Sequence, residues 1–465
     1  MVLRSSIEPA TWPAVLTGKS ATLLAGQQQL DESQWWSPAE MRVRQFALLQ
    51  PLVEFAAQSL PFYAERLQTA GWQPGMALTE ALWAAVPVLT RDQARDAGER
   101  LHAPVLPASH GRSGFVTSGG STGIPVRVYK SELAQTMWEM LHVREKLWAG
   151  DDLHGTLVRI STGQGLAPEL VAQLESPEGF VTPNWGGLDD TLWHTGTFGW
   201  LADRHPLAVQ AAFLQRLEAN YLFTVPATLR LLLAYFRNTG TRLPSLRSVW
   251  VMSEMVDDGL RQACQEVFGC EIIANYSAAE VGFIGLQCPL HRHYHVQSEM
   301  NLVEILDPSN RPCAVGEAGR VVVTPLHNYA TPLLRYEVGD LAELGEPCPC
   351  GRGLPVLARI SGRIGDYVVS ASGQRRRFNP DHYALAKIPA VVEFQFRQRS
   401  LERIELALVI SRPLQPAELG TIQGLCADFF GPEFQIDITF HTILPRTPAG
   451  KLLPFVSDLP RAGAV

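Results

Sequence analysis

Short apolar runs rich in β-branched residues alternate with helix-like stretches through the middle of the chain, from residue 117 to about 340. Typical pairs are LVRIST followed by PLAVQAAFLQRLEA, and YLFTVP followed by ATLRLLLAYFRN. Alternation of this kind predicts an α/β architecture with a largely parallel sheet. This pattern restricts the fold class before any single residue is considered.

Different patterns flank this central region. Residues 40–105 have apolar side chains at helical spacing, and residues 295–345 are rich in strand-like runs and turns. After ISGRIGDYVV a smaller α+β pattern begins. We therefore predict a large multilayer N-terminal domain, residues 1–364, with mixed and parallel sheets and a β-rich subdomain. A small mobile α+β C-terminal domain, residues 365–465, follows it.

The composition is that of an ordinary globular protein. Of 465 residues, 46% are hydrophobic and 18% charged, and the net charge of −7 gives no basic field that would attract nucleic acid. The N-terminal stretch MVLRSSIEPATWPAVLTGK lacks the apolar core of a signal peptide, and no apolar run approaches the roughly 20 residues that span a bilayer. The odd number of seven cysteines fits reduced thiols. We expect a cytoplasmic enzyme without nucleic-acid or membrane partners.

The stretch TSGGSTGIPV, residues 117–126, places three glycines among hydroxyl side chains. Backbone amides freed by glycine, together with these hydroxyls, suit phosphate oxygens. The flanking GFV and VRVYK are typical of strands, so we predict a hairpin-like turn; a merely flexible turn is the alternative. Neither a Walker loop nor a dinucleotide fingerprint fits, since the required lysine and glycine spacing are missing. The candidate phosphate-binding residues are Thr117, Ser118, Gly119, Gly120, Ser121, Thr122 and Gly123.

Four further motifs follow in order: NYSAAEVG, RYEVGDL, RISGRIGDYVV and LPRTPAGKLLPF. Each has an ordinary interpretation: a solvated glutamate at a helix start, a turn aspartate at a strand end, a surface arginine and an exposed tail lysine. The functional interpretations are that Glu280 holds Mg²⁺ against nucleotide phosphates and that Asp340 accepts hydrogen bonds from two ribose hydroxyls.

Three cysteines have a spacing that suits a metal. Cys288 lies in QCPLHRHYHV, and Cys348 and Cys350 lie in PCPCG. Three thiolates and one imidazole would complete a tetrahedral Zn²⁺ shell and leave no open position for catalysis. The alternative is that these are ordinary reduced cysteines with surface histidines nearby.

Together, the loop and the four motifs resemble the core set of the adenylate-forming superfamily, which includes acyl-CoA synthetases, luciferases and peptide-synthetase adenylation domains. CPCGRGLPVLARISGR is similar to the CxCGR marker of its phenylacetate-CoA ligase-like branch. The resemblance extends from about residue 40 to the end, since LPFYAERL followed by VPVLTRDQ also fits. It implies ATP-dependent conversion of a carboxylic acid to an acyl-adenylate with release of pyrophosphate, followed by transfer to a thiol, with CoA as the expected acceptor.

The resemblance also implies roles for individual residues. The 117–123 loop would hold the β- and γ-phosphates and Glu280 the Mg²⁺. Lys451 would bridge ATP and substrate oxygens in the first half-reaction, and Gly365 would be the hinge of the mobile domain. The nucleotide-binding set beyond the loop would be Asn275, Tyr276, Ser277, Asp340 and Arg363.

Three positions depart from the family pattern. Ile124 stands where a lysine is usual, and Ala279 stands where a threonine usually precedes the acidic residue. GRIGD replaces the usual GRxDD, with Asp366 retained. The first two departures leave open a non-catalytic binding relative.

The resemblance favours a structural zinc in which His295 joins the three cysteines, with His291 and His293 as alternatives.

The resemblance to this branch also indicates that the substrate is an aromatic acid. Because no carrier segment follows residue 465, we expect the acceptor, CoA or a separate carrier protein, to arrive in trans. Transfer to an amine or to a coenzyme would also fit the motif set. A kinase or ATPase that uses the same loop is a rival of another class, against which the missing Walker lysine argues. A homodimer is left open.

Two residue clusters have both a structural and a functional interpretation. Trp185, Trp193 and Trp200 would pack in the core or line the acyl pocket. Arg375, Arg376 and Arg377 would form a solvated face or bind the phosphates of CoA.

Overall fold

The computed structural model describes residues 2–117, 126–163, 166–252, 254–363, 367–378, 385, 388–446 and 452–459. The chain divides into two compact units. The first comprises Met1–Asp152, Gly186–His194 and Asn275–Ile364. The second comprises Leu153–Trp185, Thr195–Ala274 and Gly365–Val465. A boundary between units falls after residue 364, and the division into an N-terminal and a mobile C-terminal domain stays a prediction.

Helices dominate the N-terminal part and alternate with strands in the centre. They are α1 (Gly18–Ser33), α2 (Pro38–Ser59), α3 (Pro61–Thr69), α4 (Glu80–Ala85), α5 (Arg91–Ala97), α6 (Glu132–Ala149), α7 (Pro168–Leu174), α8 (Asp189–Leu192), α9 (Leu207–Arg216), α10 (Pro226–Thr239), α11 (Asp258–Phe268) and α12 (Pro416–Phe430). Capping boxes at Ser37 and Thr90 begin α2 and α5, because the hydroxyl accepts from an otherwise unpaired amide of the first turn. The helical prediction for residues 40–105 is confirmed. None of these helices has the length and apolar character that a bilayer crossing requires.

Strands occur throughout the rest of the chain. They are β1 (Ser113–Thr117), β2 (Arg127–Ser131), β3 (Leu157–Ile160), β4 (Phe180–Thr182), β5 (Phe198–Leu201), β6 (Tyr221–Thr224), β7 (Ser248–Val251), β8 (Glu271–Ala274), β9 (Tyr276–Ala278), β10 (Gly282–Gln287), β11 (Tyr294–Val296), β12 (Asn301–Leu306), β13 (Ala318–Pro325), β14 (Tyr336–Leu344), β15 (Val356–Arg363), β16 (Tyr367–Val369), β17 (Arg375–Arg377), β18 (Val391–Gln398), β19 (Arg403–Ile410), β20 (Gln435–His441) and β21 (Phe455–Ser457).

The first unit contains an antiparallel sheet and a separate hairpin. The sheet has the order β12-β13-β14-β15-β11-β10-β9. Strands β1 and β2 pair antiparallel, from Ser113 opposite Ser131 to Thr117 opposite Arg127, so the glycine-rich loop connects two hairpin strands as predicted. Residues of α2, α3, the hairpin and the sheet share one apolar core, which contains Leu49, Val128 and Ile284. This core fixes the hairpin against the sheet that carries the NYS and GD motifs.

The second unit contains the predicted parallel sheet. Its order is β4-β5-β3-β6-β7-β8, and the neighbours are parallel except for β4 against β5. Helices α9, α10 and α11 each connect two of these strands, which is the βαβ arrangement that the sequence alternation indicates. Strand β8 ends at Ala274, so the chain enters the NYS motif directly from the carboxyl edge of this sheet.

The C-terminal segment, within the second unit, has its own sheet and core. The order is β20-β19-β18-β21, and β16 and β17 form a further hairpin. Phe396, Leu406, Ile422, Phe430 and Phe455 belong to one buried cluster between α12 and the sheet. The predicted compact α+β pattern is confirmed.

Candidate functional site

Glu280 is a buried carboxylate in the turn between β9 and β10. Its Oε1 lies 2.8 Å from the Arg91 guanidinium and accepts a hydrogen bond from the Tyr336 hydroxyl at 3.3 Å. The ammonium group of Lys130 is near enough to interact with it electrostatically; burial lowers the pKa of Lys130, and the Glu280 charge opposes that shift. The ordinary interpretation, a solvated glutamate at a helix start, is wrong, because Glu280 is 4% exposed and no helix begins there.

Tyr276 on β9 and Asp340 on β14 are in contact, although three strands separate β9 from β14 in the order of the sheet. The Tyr276 hydroxyl donates to Asp340 Oδ2 at 2.9 Å. Asp340 lies inside β14 and not at a strand end as predicted; Gly339 before it has a φ of +89°, and the register shifts after Leu341, so the strand bends and continues. Asp340 is directly opposite Arg363 across β14 and β15. Sheet register therefore brings two of the predicted nucleotide-binding positions together.

The other two residues of the NYS motif have different environments. The Asn275 amide donates to Glu145 Oε1, and its oxygen accepts from the Gln287 amide at 3.2 Å. Ser277 is exposed. The asparagine therefore ties the motif to α6 and β10, while the serine faces outward.

A cavity lies beside Glu280 within the first unit. Its lining combines apolar and aromatic side chains with several polar ones. Its lining residues are Lys130, Ala134, Met137, Trp138, Leu141, Glu280, Val281, Gly282, Phe283, Met300, Asn301, Pro325, His327 and Asn328. A mainly apolar cavity with a few convergent polar groups is typical of a small-molecule site.

Trp138 and Phe283 form the aromatic wall. Their rings are stacked, with centroids 5.6 Å apart and planes at 7°. Gly282 has a φ of +84°, and a Cβ there would come within 3.2 Å of Trp138 Cδ1. Glycine therefore allows the indole to lie against the β10 backbone. The two stacked rings form the aromatic part of the cavity lining.

The other face of Trp138 stacks on His142, at a centroid distance of 5.8 Å. His142 Nδ1 donates to Glu145 Oε2 and Nε2 donates to Asp189 Oδ1, both at 3.1 Å. Burial lowers the pKa of His142, but these two carboxylates outweigh it and raise the pKa to about 9. His142 is therefore an imidazolium at neutral pH, held behind the aromatic wall.

The three cysteines predicted as zinc ligands converge. Cys288, His295, Cys348 and Cys350 place one ligand atom each within 4.8 Å of one another. His295 Nδ1 donates to the Leu354 carbonyl at 3.4 Å, which leaves Nε2 facing Cys350 Sγ at 3.4 Å. Burial lowers the pKa of His295 to about 4, so the ring is neutral, as a metal ligand must be.

The alternative histidines have other positions. His291 is exposed, and His293 Nε2 lies 3.0 Å from Cys348 Sγ. The geometry therefore favours His295, the first of the three candidates, as the fourth member of the cluster.

Comparison with known proteins gives concordant results. The model of the family described as AMP-binding enzyme matches residues 191–327. Phenylacetate-coenzyme A ligase of Thermus thermophilus is 25% identical over 395 residues, which are 80% of this chain and 82% of that protein. The chain resembles the adenylate-forming superfamily. The predicted resemblance to its phenylacetate-CoA ligase-like branch is confirmed.

Two further similarities agree with this resemblance. Protein CapK of Staphylococcus aureus is 25% identical over 211 residues, 44% of this chain and 45% of that protein. The solved structure of 2-hydroxyisobutyryl-CoA ligase in the postadenylation state, in complex with R3-HIB-AMP, covers 91% of each chain with a TM-score of 0.70 and 19% identity. That likeness shows a shared fold. The protein is an enzyme of the AMP-forming acid–thiol ligase class.

Several predicted site residues lie outside the described part of the enzyme. These are Ser118, Gly119, Gly120, Ser121, Thr122, Gly123, Ile124, Gly365, Asp366 and Lys451, and the side chains of Thr117, Arg363, Arg375 and Arg377. Their roles stay predictions. Arg376 is described: it is exposed, donates to the Phe430 carbonyl and lies 3.8 Å from Glu433.

The three candidate tryptophans occupy packing positions. Trp185 donates to the Gly155 carbonyl at 3.0 Å, and Trp200 lies under the Arg159 guanidinium, 4.3 Å from ring centroid to Cζ. Trp193 is 3% exposed and forms a β-bridge with Leu3. None of the three lines the described cavity, so the core interpretation is confirmed for them.

Sequence reasoning missed Arg91, Lys130, Trp138 and Phe283. Arg91 lies in VPVLTRDQ, which fits the family resemblance, and Lys130 lies in VRVYK, the second strand of the predicted hairpin. Phe283 directly follows the NYSAAEVG motif, which was the one available signal for it. Trp138 lies on α6 without any motif around it.

Proposed function

We propose that this enzyme is an aryl-CoA ligase. In the first half-reaction a carboxylate oxygen of an aromatic acid attacks the α-phosphorus of ATP, the bond to the β-phosphate bridging oxygen breaks, and pyrophosphate leaves. In the second, the sulfur of CoA attacks the acyl carbonyl, the bond to the AMP oxygen breaks, and the thiol proton is lost to solvent. The protein contributes positioning and electrostatics more than covalent chemistry.

The observation that carries the aromatic assignment is the Trp138–Phe283 wall beside Glu280. An aromatic ring that packs edge-to-face or offset against such a pair gains stability beyond area burial alone. Cavity and carboxylate are adjacent, so an acid bound against the wall would present its carboxylate at the Glu280 end. The wall therefore supports an aryl acid over a short aliphatic one.

Lys130 supplies the cation for that carboxylate. It lines the cavity, and it makes no salt bridge within 4 Å to the residues that the structure describes, whereas Arg91 already pairs with Glu280. A partly buried ammonium group gains from a carboxylate partner, because the partner replaces lost hydration. We propose that Lys130 orients the acid for attack.

Glu280 is the candidate ligand for Mg²⁺. Its Oε1 faces Arg91 and Tyr336, and carboxylate oxygen is the chemistry that Mg²⁺ prefers. Mg²⁺ would supply charge neutralisation of the ATP phosphates when bound. Asp340, held by Tyr276, would accept the ribose hydroxyls.

The cluster of Cys288, His295, Cys348 and Cys350 supports a structural Zn²⁺, since three sulfurs and one neutral imidazole form a closed tetrahedral set. Elemental analysis of enzyme purified without chelator tests this. We expect about one zinc per chain, and less than about 0.3 would contradict the site. The Cys348→Ser variant should lose the zinc, whereas Cys426→Ser, which alters a buried thiol outside the cluster, should keep it.

The acceptor is tested by product analysis. Enzyme, ATP, Mg²⁺ and a panel of aryl, heteroaryl and short-chain acids are incubated with CoA, with a carrier protein or with an amine, and products are identified by mass spectrometry. We expect aryl-CoA thioesters. Acyl transfer only to the carrier or the amine would replace CoA as the acceptor, and short-chain thioesters alone would contradict the aromatic assignment.

A further inference from the structure

Two residues bracket the segment that contains Lys451. Arg446 and Leu452 form an isolated antiparallel bridge, and we call this pair the neck. Arg446 pairs with Glu393 on β18, whose side chain is completely buried. The Leu452 backbone amide donates to Glu254 Oε1 at 3.1 Å. Each side of the neck is therefore held by a carboxylate.

Glu254 is itself fixed by the parallel sheet of the same unit. It follows β7 closely, and its second oxygen, Oε2, accepts from the Ala227 amide at 3.0 Å. Ala227 lies in the first turn of α10, where unpaired amides and the helix dipole favour a carboxylate. One side chain thus joins the end of β7, the start of α10 and the neck.

Other charged groups surround this contact. Arg230 of α10 pairs with Asp257 at the start of α11, and Arg446 acts electrostatically on both Glu393 and Asp203. Glu254 nevertheless contacts the neck through a backbone amide. The contact is therefore independent of which side chain occupies position 452.

We propose that Glu254 is a positioning residue for adenylation, which fixes the backbone of Leu452, the residue directly after Lys451 in the sequence. The inference rests on the proposed function and on the role in the first half-reaction that the family resemblance implies for Lys451. Transfer from a finished acyl-adenylate to CoA does not use this lysine, so it should not depend on Glu254.

The two half-reactions are measured separately for Glu254→Ala and Glu254→Gln. We expect Glu254→Ala to lower kcat for acid-dependent pyrophosphate–ATP exchange by about 10-fold or more, with small changes in KM, because a charge-assisted hydrogen bond is lost. Conversion of supplied acyl-adenylate to thioester should stay near the parent rate. Glu254→Gln keeps an acceptor oxygen and should lose less. The control is Glu266→Ala, which removes an exposed carboxylate of α11 and should change neither half-reaction.

Hydrogen exchange tests the contact without any catalysis. In the parent, the amide of Leu452 should exchange more slowly than in Glu254→Ala, while amides of α12 should be equal in both. Leu452→Pro removes the donor and leaves the bond from Glu254 to Ala227, so it should reproduce the adenylation defect.

Equal exchange at residue 452 in parent and Glu254→Ala, or equal slowing of both half-reactions, overturns the inference. If the parent shows no pyrophosphate–ATP exchange with any acid tested, the proposed function is contradicted, and the inference about Glu254 is contradicted with it. A normal parent with unaffected adenylation in Glu254→Ala contradicts the role of Glu254 alone.

Discussion

At the scale of single residues, the positive charges around Glu280 outnumber its single negative charge. Arg91 and Lys130 supply two cations, and Glu280 is the carboxylate that both face. Lys130 is also part of the cavity lining. Binding of an anionic acid would complete the charge balance there, since a desolvated cation gains most from a partner of opposite sign.

Replacing Lys130 by Met keeps the length of the side chain and removes its charge. We expect KM for the acid to rise by about 10-fold or more while KM for ATP changes little. Thioester formation from supplied acyl-adenylate should be unaffected, because that substrate has no free carboxylate. Lys130→Arg should recover part of the loss. Steady-state kinetics with each substrate varied in turn checks this; a rise in KM for ATP alone would instead make Lys130 a phosphate ligand.

Lys451 is expected to act in one half-reaction only. Lys451→Ala should lose acid-dependent adenylation by at least about 100-fold, because a cation that bridges ATP and substrate oxygens stabilises the transition state. It should still convert supplied acyl-adenylate at close to the parent rate. Both rates are measured on the same preparation, with the Lys130→Met variant as a comparison. Equal slowing of both halves would mean that the lysine is structural.

At the scale of secondary-structure elements, His142 joins α6 to α8. Its imidazolium lies between Glu145 on its own helix and Asp189 at the start of α8, with Lys146 nearby. Its pKa is raised to about 9 in the folded protein, above the ordinary value of 6.5. A raised pKa stabilises the fold fully below pH 6.5, and that contribution is lost as the pH rises through about 9.

The H142Q variant tests this contribution. By urea unfolding, the parent should lose stability relative to H142Q between pH 6.5 and 9.5, by about 3 kcal/mol at most, since one pKa unit corresponds to about 1.4 kcal/mol. Below pH 6.5 the difference should be constant until the carboxylates begin to protonate. Parallel curves for the two proteins over the alkaline range would show that His142 is not charged in the fold.

The sequence predicts elements and motifs better than it predicts the cavity. The strand–helix alternation and the hairpin around the glycine-rich loop depend on local patterns, and both are confirmed. The cavity depends on distant pairs: Trp138 on α6 meets Phe283 on β10, and Arg91 on α5 meets Glu280. Tertiary packing determines which distant residues meet, so a local sequence pattern cannot predict such pairs.

The position of Asp340 within its strand also could not be predicted from the local sequence. Asp340 follows a glycine, which favours a turn, yet β14 continues through it. The continuation depends on pairing with β15, whose register places Arg363 opposite Asp340. Cross-strand partners outweigh the local preference here.

At the scale of the whole molecule, an acid cavity, a nucleotide site and a C-terminal lysine serve one proposed reaction sequence. The cavity and the Tyr276–Asp340 pair belong to the first unit, and the neck around Lys451 belongs to the second. The variants above alter the cavity and the neck separately. Their common premise is that the enzyme makes an acyl-adenylate.

Acid-dependent exchange of labelled pyrophosphate into ATP tests that premise most directly. We predict exchange that requires Mg²⁺, is fastest with aryl acids, falls in Trp138→Ala by about 10-fold or more, and needs no CoA. Release of phosphate without exchange would indicate an ATPase. No exchange with any acid of the panel would contradict the proposed reaction and indicate a non-catalytic binding protein.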